Sequence, residues 1–157
     1  MERNMVTIER IQNLRRLCGR YGLEETGILD GYTDMELAAI YNGAGPDSWI
    51  PLARDAVTAL MELFEPAALI HDTQFHGSDG LRESFEKTAE CWKRNCRKIF
   101  ETEYPFWSWK QCFRSYRAKR IYWYGVMQAG NLAVSGGAAF QAWTAAYRNR
   151  RAHEASV

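Results

Sequence analysis

Apolar residues recur along this chain at helical rather than alternating spacing. In VTIERIQNLRRLCGRYG, Ile8, Ile11, Leu14, Leu17 and Cys18 share one face, and Gly19 or Gly22 is placed to stop the helix. Thr33 stands three residues before Glu36 in TDMELAAIY, the spacing of a capping box, so a short helix follows and ends at Asn42-Gly43. Gly43-Ala44-Gly45-Pro46 then forbids further helix and predicts a fixed turn. Leu52, Ala56, Ala59, Leu60, Leu63 and Phe64 form the next stripe, and Pro66 starts a new helix carrying AALIHDTQF.

After the loop His76-Gly77-Ser78-Asp79-Gly80, a further stripe runs through Phe85, Ala89, Trp92, Cys96 and Ile99. Pro105 breaks the chain. Trp109 to about Val134 reads as one long aromatic helix, ended by Ser135-Gly136-Gly137. A last short helix, AAFQAWTAAY, leads into a basic tail, residues 148–157, that is expected to fray. No period-2 run bounded by turn signals interrupts this pattern. The expectation is an all-α fold: a single helical domain over residues 1–157, of about five or six helices, without internal repeat. Facing stripes predict a core of Leu60, Leu63, Phe64, Ile70, Phe85, Trp92 and Phe113.

Composition narrows the class. At 157 residues, 46% hydrophobic and 25% charged, the chain has the make-up of an ordinary globular domain. The opening MERNMVTIERIQNLRRL has no uninterrupted apolar run, so a secretory signal is not expected. No segment approaches the roughly 18 apolar residues of a membrane span. Cys18, Cys91, Cys96 and Cys112 form no CxxC pair, which argues against zinc and for free thiols in a reducing compartment. Charge is polarised: residues 1–80 hold 6 Lys/Arg against 13 Asp/Glu, a net −7, and residues 81–157 hold 14 against 6, a net +8. The basic half suits phosphate, on lipid or nucleic acid, or the acidic half of a second copy.

The candidate chemistry lies in YNGAGPDSWIPLARDAVTALMELFEPAALIHDTQF, which opens on a glycine turn and closes on His71-Asp72. NGAGP followed by AALIHD and a helix resembles the phospholipase A2-like superfamily, in particular its phage- and prophage-encoded members. The resemblance covers about Tyr41 to Cys96. It implies His71 as the base that activates water, and Asp72 with Asn42, Gly43 and Gly45 as calcium ligands, with the His helix antiparallel to the Phe85–Trp92 helix. Imidazole can take a proton near neutrality, and a hard cation prefers oxygen ligands. The chain departs from the pattern at defined places. A whole amphipathic helix separates the glycine turn from His71, Phe75 replaces the aromatic hydroxyl, and Ala89 stands where the family carries the carboxylate or amide that orients the histidine. The nearest carboxylates, Glu86 and Glu90, flank the apolar stripe. The structural reading of His71 is an ordinary packed histidine; of Gly43 and Gly45, a helix stop.

A second feature is YPFWSWKQCFRSYRAKRIYWYGVM, in which cations alternate with rings. Its bland reading is aromatic bulk wrapping a small core, with Arg and Lys stems covering apolar surface. Its functional reading is a partner-binding face made of Arg114, Arg117, Lys119, Arg120, Tyr122 and Trp123, suited to interfacial lipid or to nucleic acid. Together these features predict a phage- or prophage-derived accessory protein with a catalytically degenerate phospholipase A2-like fold that acts by binding. Two alternatives stand beside it. One is a calcium-dependent phospholipid hydrolase using His71 and Asp72; the other is a small phage inhibitor of a host defence protein or ribonucleoprotein, acting through the basic aromatic half. No cofactor is expected beyond the Ca2+ that the resemblance implies. A protein, ribonucleoprotein or lipid partner, or a second copy, fits the charge. The expected location is the cytoplasm of a bacterial host or the virion.

Overall fold

The structure, a computed structural model, describes residues 7–41 and 61–156. Among the described residues, six α-helices and three short 3-10 segments are present and no strand. The fold is all-α, as the apolar spacing predicts.

Helix α1 spans Ile8–Arg20 and buries Ile11, Leu14 and Cys18. Thr7 caps it, accepting from the Arg10 N–H at 3.2 Å. Of the two glycines placed to stop it, Gly22 takes the left-handed turn at φ +58°, a conformation that costs a side-chain-bearing residue energy. The amides of Gly22 and Leu23 bond back to the carbonyls of Gly19 and Cys18. A 3-10 segment, Thr26–Gly31, leads to α2, Asp34–Ile40. Thr33 and Glu36 form the full reciprocal capping box there.

Helix α3, Glu65–His76, follows the 3-10 turn Glu62–Phe64 and carries Pro66 in its first turn. Residues 65–70 are all buried, because α3 is flanked by α1, α2, α4 and α6. A helix covered on several sides must be apolar nearly all round, which is why AALI shows no polar face. Cys18 of α1 donates its thiol to the Pro66 carbonyl at 3.3 Å and ties the two helices together.

Residues 77–81 turn the chain back into α4, Arg82–Glu103, which packs against α3 as a helical hairpin. Its inward stripe is Phe85, Ala89, Trp92, Cys96 and Ile99, the residues that the helical spacing selects. Helix α5, Arg114–Ser135, packs on α4. Gly130 of α5 is the close approach: a Cβ there would stand 3.3 Å from the Trp92 ring. Helix α6, Gly137–Glu154, closes the other side and buries Trp143 against Phe75 and Phe85, with ring centroids 5.0 and 6.2 Å apart.

Several expectations are corrected here. Phe64, Ile70, Phe85 and Trp92 are core, but Leu63 is half-buried and Phe113 is 51% exposed. Phe113 ends the α4–α5 connection instead of facing α4, so its apolar character points outward. Leu60 lies outside the described residues. The expected single helix from Trp109 is broken: Trp109–Cys112 is 3-10 and Phe113 is extended before α5 begins. Residues 148–154, expected to fray, continue α6 through Glu154, and Arg150 donates to the carbonyls of His76 and Ser78.

Candidate functional site

His71 lies in the middle of α3, with its side chain 12% exposed. Its ring sits between Phe75, one turn on, at 4.6 Å between centroids, and Trp92 of α4 at 5.4 Å. It thus faces the helix that the antiparallel pairing implies. Its Nδ1 stands 3.4 Å from Asp72 Oδ1, longer than the usual 2.7–3.2 Å of an N–H···O bond. Sequence neighbours on a helix point about 100° apart, so Asp72 cannot turn fully onto the ring. The other ring nitrogen, Nε2, is buried with no hydrogen-bond partner among the described residues.

No carboxylate of α4 comes to that nitrogen. Ala89 is buried on the inward stripe. Glu86 pairs with Arg82 at 2.8 Å and Glu90 with Lys93 at 2.7 Å, and both carboxylates are more than half exposed. Asn42, Gly43 and Gly45, the other implied calcium ligands, lie outside the described residues. Among the described residues no group of three or more His, Cys, Asp or Glu side chains could hold a metal ion.

Sequence reading missed a polar cluster at the start of the same helix. Glu65 is 8% exposed and accepts from the Arg10 guanidinium. Burial raises its carboxyl above the usual value, and the Arg10 hydrogen bond offsets this only in part. Tyr41, fully buried, leaves its hydroxyl without a partner among the described residues, and burial together with the charges of Glu65 and Asp72 pushes its ionisation up. A Glu before Pro in a helix's first turn reads as ordinary dipole complementation, so nothing in the string betrays the burial.

The second candidate is the α4–α5 connection. Its backbone is held by side chains of α5 and of the connection itself. Arg120 Nε donates to the Tyr104 carbonyl at 3.2 Å, Tyr116 to the Pro105 carbonyl at 3.3 Å, and Gln111 Nε2 to the Phe106 carbonyl at 3.3 Å. The Arg120 guanidinium also lies over the rings of Phe100 and Phe106, at 5.4 and 5.3 Å. On this braced loop Trp107 is 93% exposed and Trp109 73% exposed, and Phe106 and Phe113 are also exposed. The six expected partner-binding residues divide. Arg114, Arg117, Lys119 and Tyr122 are exposed, whereas Arg120 braces the loop and Trp123 turns in to pack edge-on against Phe64 at 6.0 Å.

The apolar surface continues along α5 through Ile121 and Leu132, 74% and 76% exposed, with Tyr124 beside them. No Asp or Glu occurs between Glu103 and Glu154, while 8 Lys or Arg do. This surface therefore combines rings and cations with no acid from its own part of the chain. Compared with known proteins, the chain matches no family model, no curated protein and no solved structure.

Proposed function

We propose that this is a binding protein, not a catalyst, and that its working surface is the aromatic and basic side formed by the α4–α5 connection and α5. The observation that carries the proposal is the braced loop. Its hydrogen bonds hold Phe106, Trp107, Trp109 and Phe113 in solvent beside Arg114, Arg117 and Lys119. Contiguous exposed apolar surface on a folded chain marks a contact site. The cations and the missing acids select an anionic partner.

The non-catalytic half of the proposal is supported by His71. A general base needs a partner that fixes its tautomer, and losing that partner in a triad costs on the order of ten-thousand-fold in rate. Nδ1 makes a long approach to its own neighbour, and Nε2 is buried without a hydrogen-bond partner among the described residues. We therefore keep the phospholipase A2-like resemblance as a proposal of descent, in a phage- or prophage-derived accessory protein, without the hydrolytic step. An inhibitor of a host ribonucleoprotein would use the same surface, whose own stretch of chain carries no acid.

Elution from a heparin column tests the surface. The wild-type chain is expected to elute at higher salt than an Arg114→Gln/Arg117→Gln/Lys119→Gln variant; equal elution would overturn the assignment. Incubation with phospholipid vesicles and calcium tests the other half. Turnover that disappears in His71→Ala would restore the hydrolase reading.

A further inference from the structure

We infer that the anionic partner is a lipid bilayer surface, and that the Tyr104–Phe113 connection enters its interfacial region with α5 lying against the headgroups. This inference rests on the surface proposed above and names what that surface meets. Trp and Tyr are favoured where apolar tails meet wet headgroups, since each ring has an apolar body and a polar edge. The connection places two Trp and two Phe side chains in solvent within a stretch whose backbone is already hydrogen-bonded. Little ordering entropy remains to be lost on insertion.

The aliphatic residues decide between lipid and nucleic acid. Ile121 and Leu132 project from α5, and Gly125 between them has open space around it. Arg114, Arg117, Ile121, Gly125, Gln128 and Leu132 recur at spacings of three and four, one outward stripe of the helix. Hydrocarbon rewards exposed Ile and Leu, whereas nucleobases stack on flat rings. The rings themselves point the same way. Phe106 and Trp107 meet at 90°, and Trp109 and Phe113 at 75°, so neither pair offers parallel faces for successive bases. A second copy meeting this surface face to face would oppose two acid-free, cationic stretches. Among the described residues no helix is long and apolar enough to cross a membrane, so contact from this side is peripheral.

The full-length chain is sedimented with vesicles of phosphatidylcholine alone and of phosphatidylcholine with phosphatidylglycerol. It is expected to bind the anionic vesicles and to bind the neutral ones far more weakly. Each cation lost should weaken partitioning roughly fivefold, the fold-change for about 1 kcal/mol per basic residue near an anionic surface, so Arg114→Gln/Arg117→Gln/Lys119→Gln together should weaken it roughly a hundredfold. Trp107→Ala/Trp109→Ala should weaken it at least about tenfold. Both rings are exposed, so its thermal melt should match wild type, which separates lost binding from lost folding. A parallel arm uses oligouridylate. No binding to anionic vesicles with heparin retention intact would overturn the lipid inference and leave the anionic surface standing; oligouridylate binding would then name the partner class. Loss of both heparin retention and vesicle binding would remove the surface reading and this inference together.

Discussion

Glu65 occupies the first turn of α3, where an acid is ordinarily favoured by the unpaired N–H groups of the helix start. Packing of α3 against its neighbours takes its carboxylate out of water, and burial raises its affinity for a proton despite the Arg10 guanidinium. A carboxyl whose folded pKa exceeds its unfolded value binds its proton more tightly when folded. Its charged form is then a cost to the folded state at neutral pH. That cost falls as pH drops through the raised value and is gone below the ordinary Glu range near about 4.3. Thermal melts of wild type and Glu65→Gln between about pH 7 and pH 4 check this. Wild type should gain stability relative to the variant as pH falls; a relative loss would mean that Arg10 outweighs burial. The same residue marks a limit of sequence reading. An acid beside Pro66 in an apolar run is visible in the string, but its burial comes from the packing of neighbouring helices, and the cation that partly offsets it, Arg10, comes from 55 positions away.

At the scale of elements, the turn between α3 and α4 shows how local chemistry and packing combine. His76-Gly77-Ser78-Asp79-Gly80 reads as a loop from its composition, and it is one. Gly80 there has φ +76°, and a Cβ would stand 2.9 Å from Tyr147 Cδ1 and 3.1 Å from its Cγ. Gly80→Ala therefore meets both a strained backbone and an aromatic ring, and should cost about 2 kcal/mol or more. Gly27→Ala, with open space around it and no positive φ, should stay within about 0.5 kcal/mol. Denaturant midpoints of the two variants compare them directly; equal effects would mean that α6 is not seated on this turn. Helix α5 shows the opposite case, where pattern misleads. It buries Met127 and Gly130 yet exposes Ile121 and Leu132, so both of its sides are apolar. Hydropathy cannot choose an inward face for such a helix, and for the same reason it assigns the exposed Phe113 to the core.

For the molecule as a whole, α6 decides whether the α3–α4 hairpin is covered. Trp143 fills the space beside Phe75 and Phe85, Ser78 donates its buried hydroxyl to the Trp143 carbonyl at 2.8 Å, and Arg150 donates to the carbonyls of His76 and Ser78. Hydrogen bonds from a charged group are worth more than neutral ones, so Arg150→Ala should lower stability by about 1–2 kcal/mol in a single unfolding transition. Arg151, two-thirds exposed and paired with Glu154 on its own helix, is the control, and Arg151→Ala should change little. Matching melts for the two variants would contradict the docking of the basic segment.

The sequence by itself determined the helical class, the capping box at Thr33, the helix start at Pro66, and the inward stripe of α4 from Phe85 to Ile99. Each of these follows from local backbone sterics, capping hydrogen bonds or a single apolar face, which act within a few residues of chain. It also placed His71 beside Asp72 and set rings among cations after Pro105. Tertiary structure decided what those residues can do. It put Trp92 and Phe75 around the imidazole and left Glu86 and Glu90 to pair along their own helix. It also used Arg120 to brace a loop that holds Trp107 and Trp109 in solvent, and turned Trp123 inward against Phe64. Burial and side-chain direction depend on which distant helices meet, and that geometry is a property of the packed chain rather than of any one stretch.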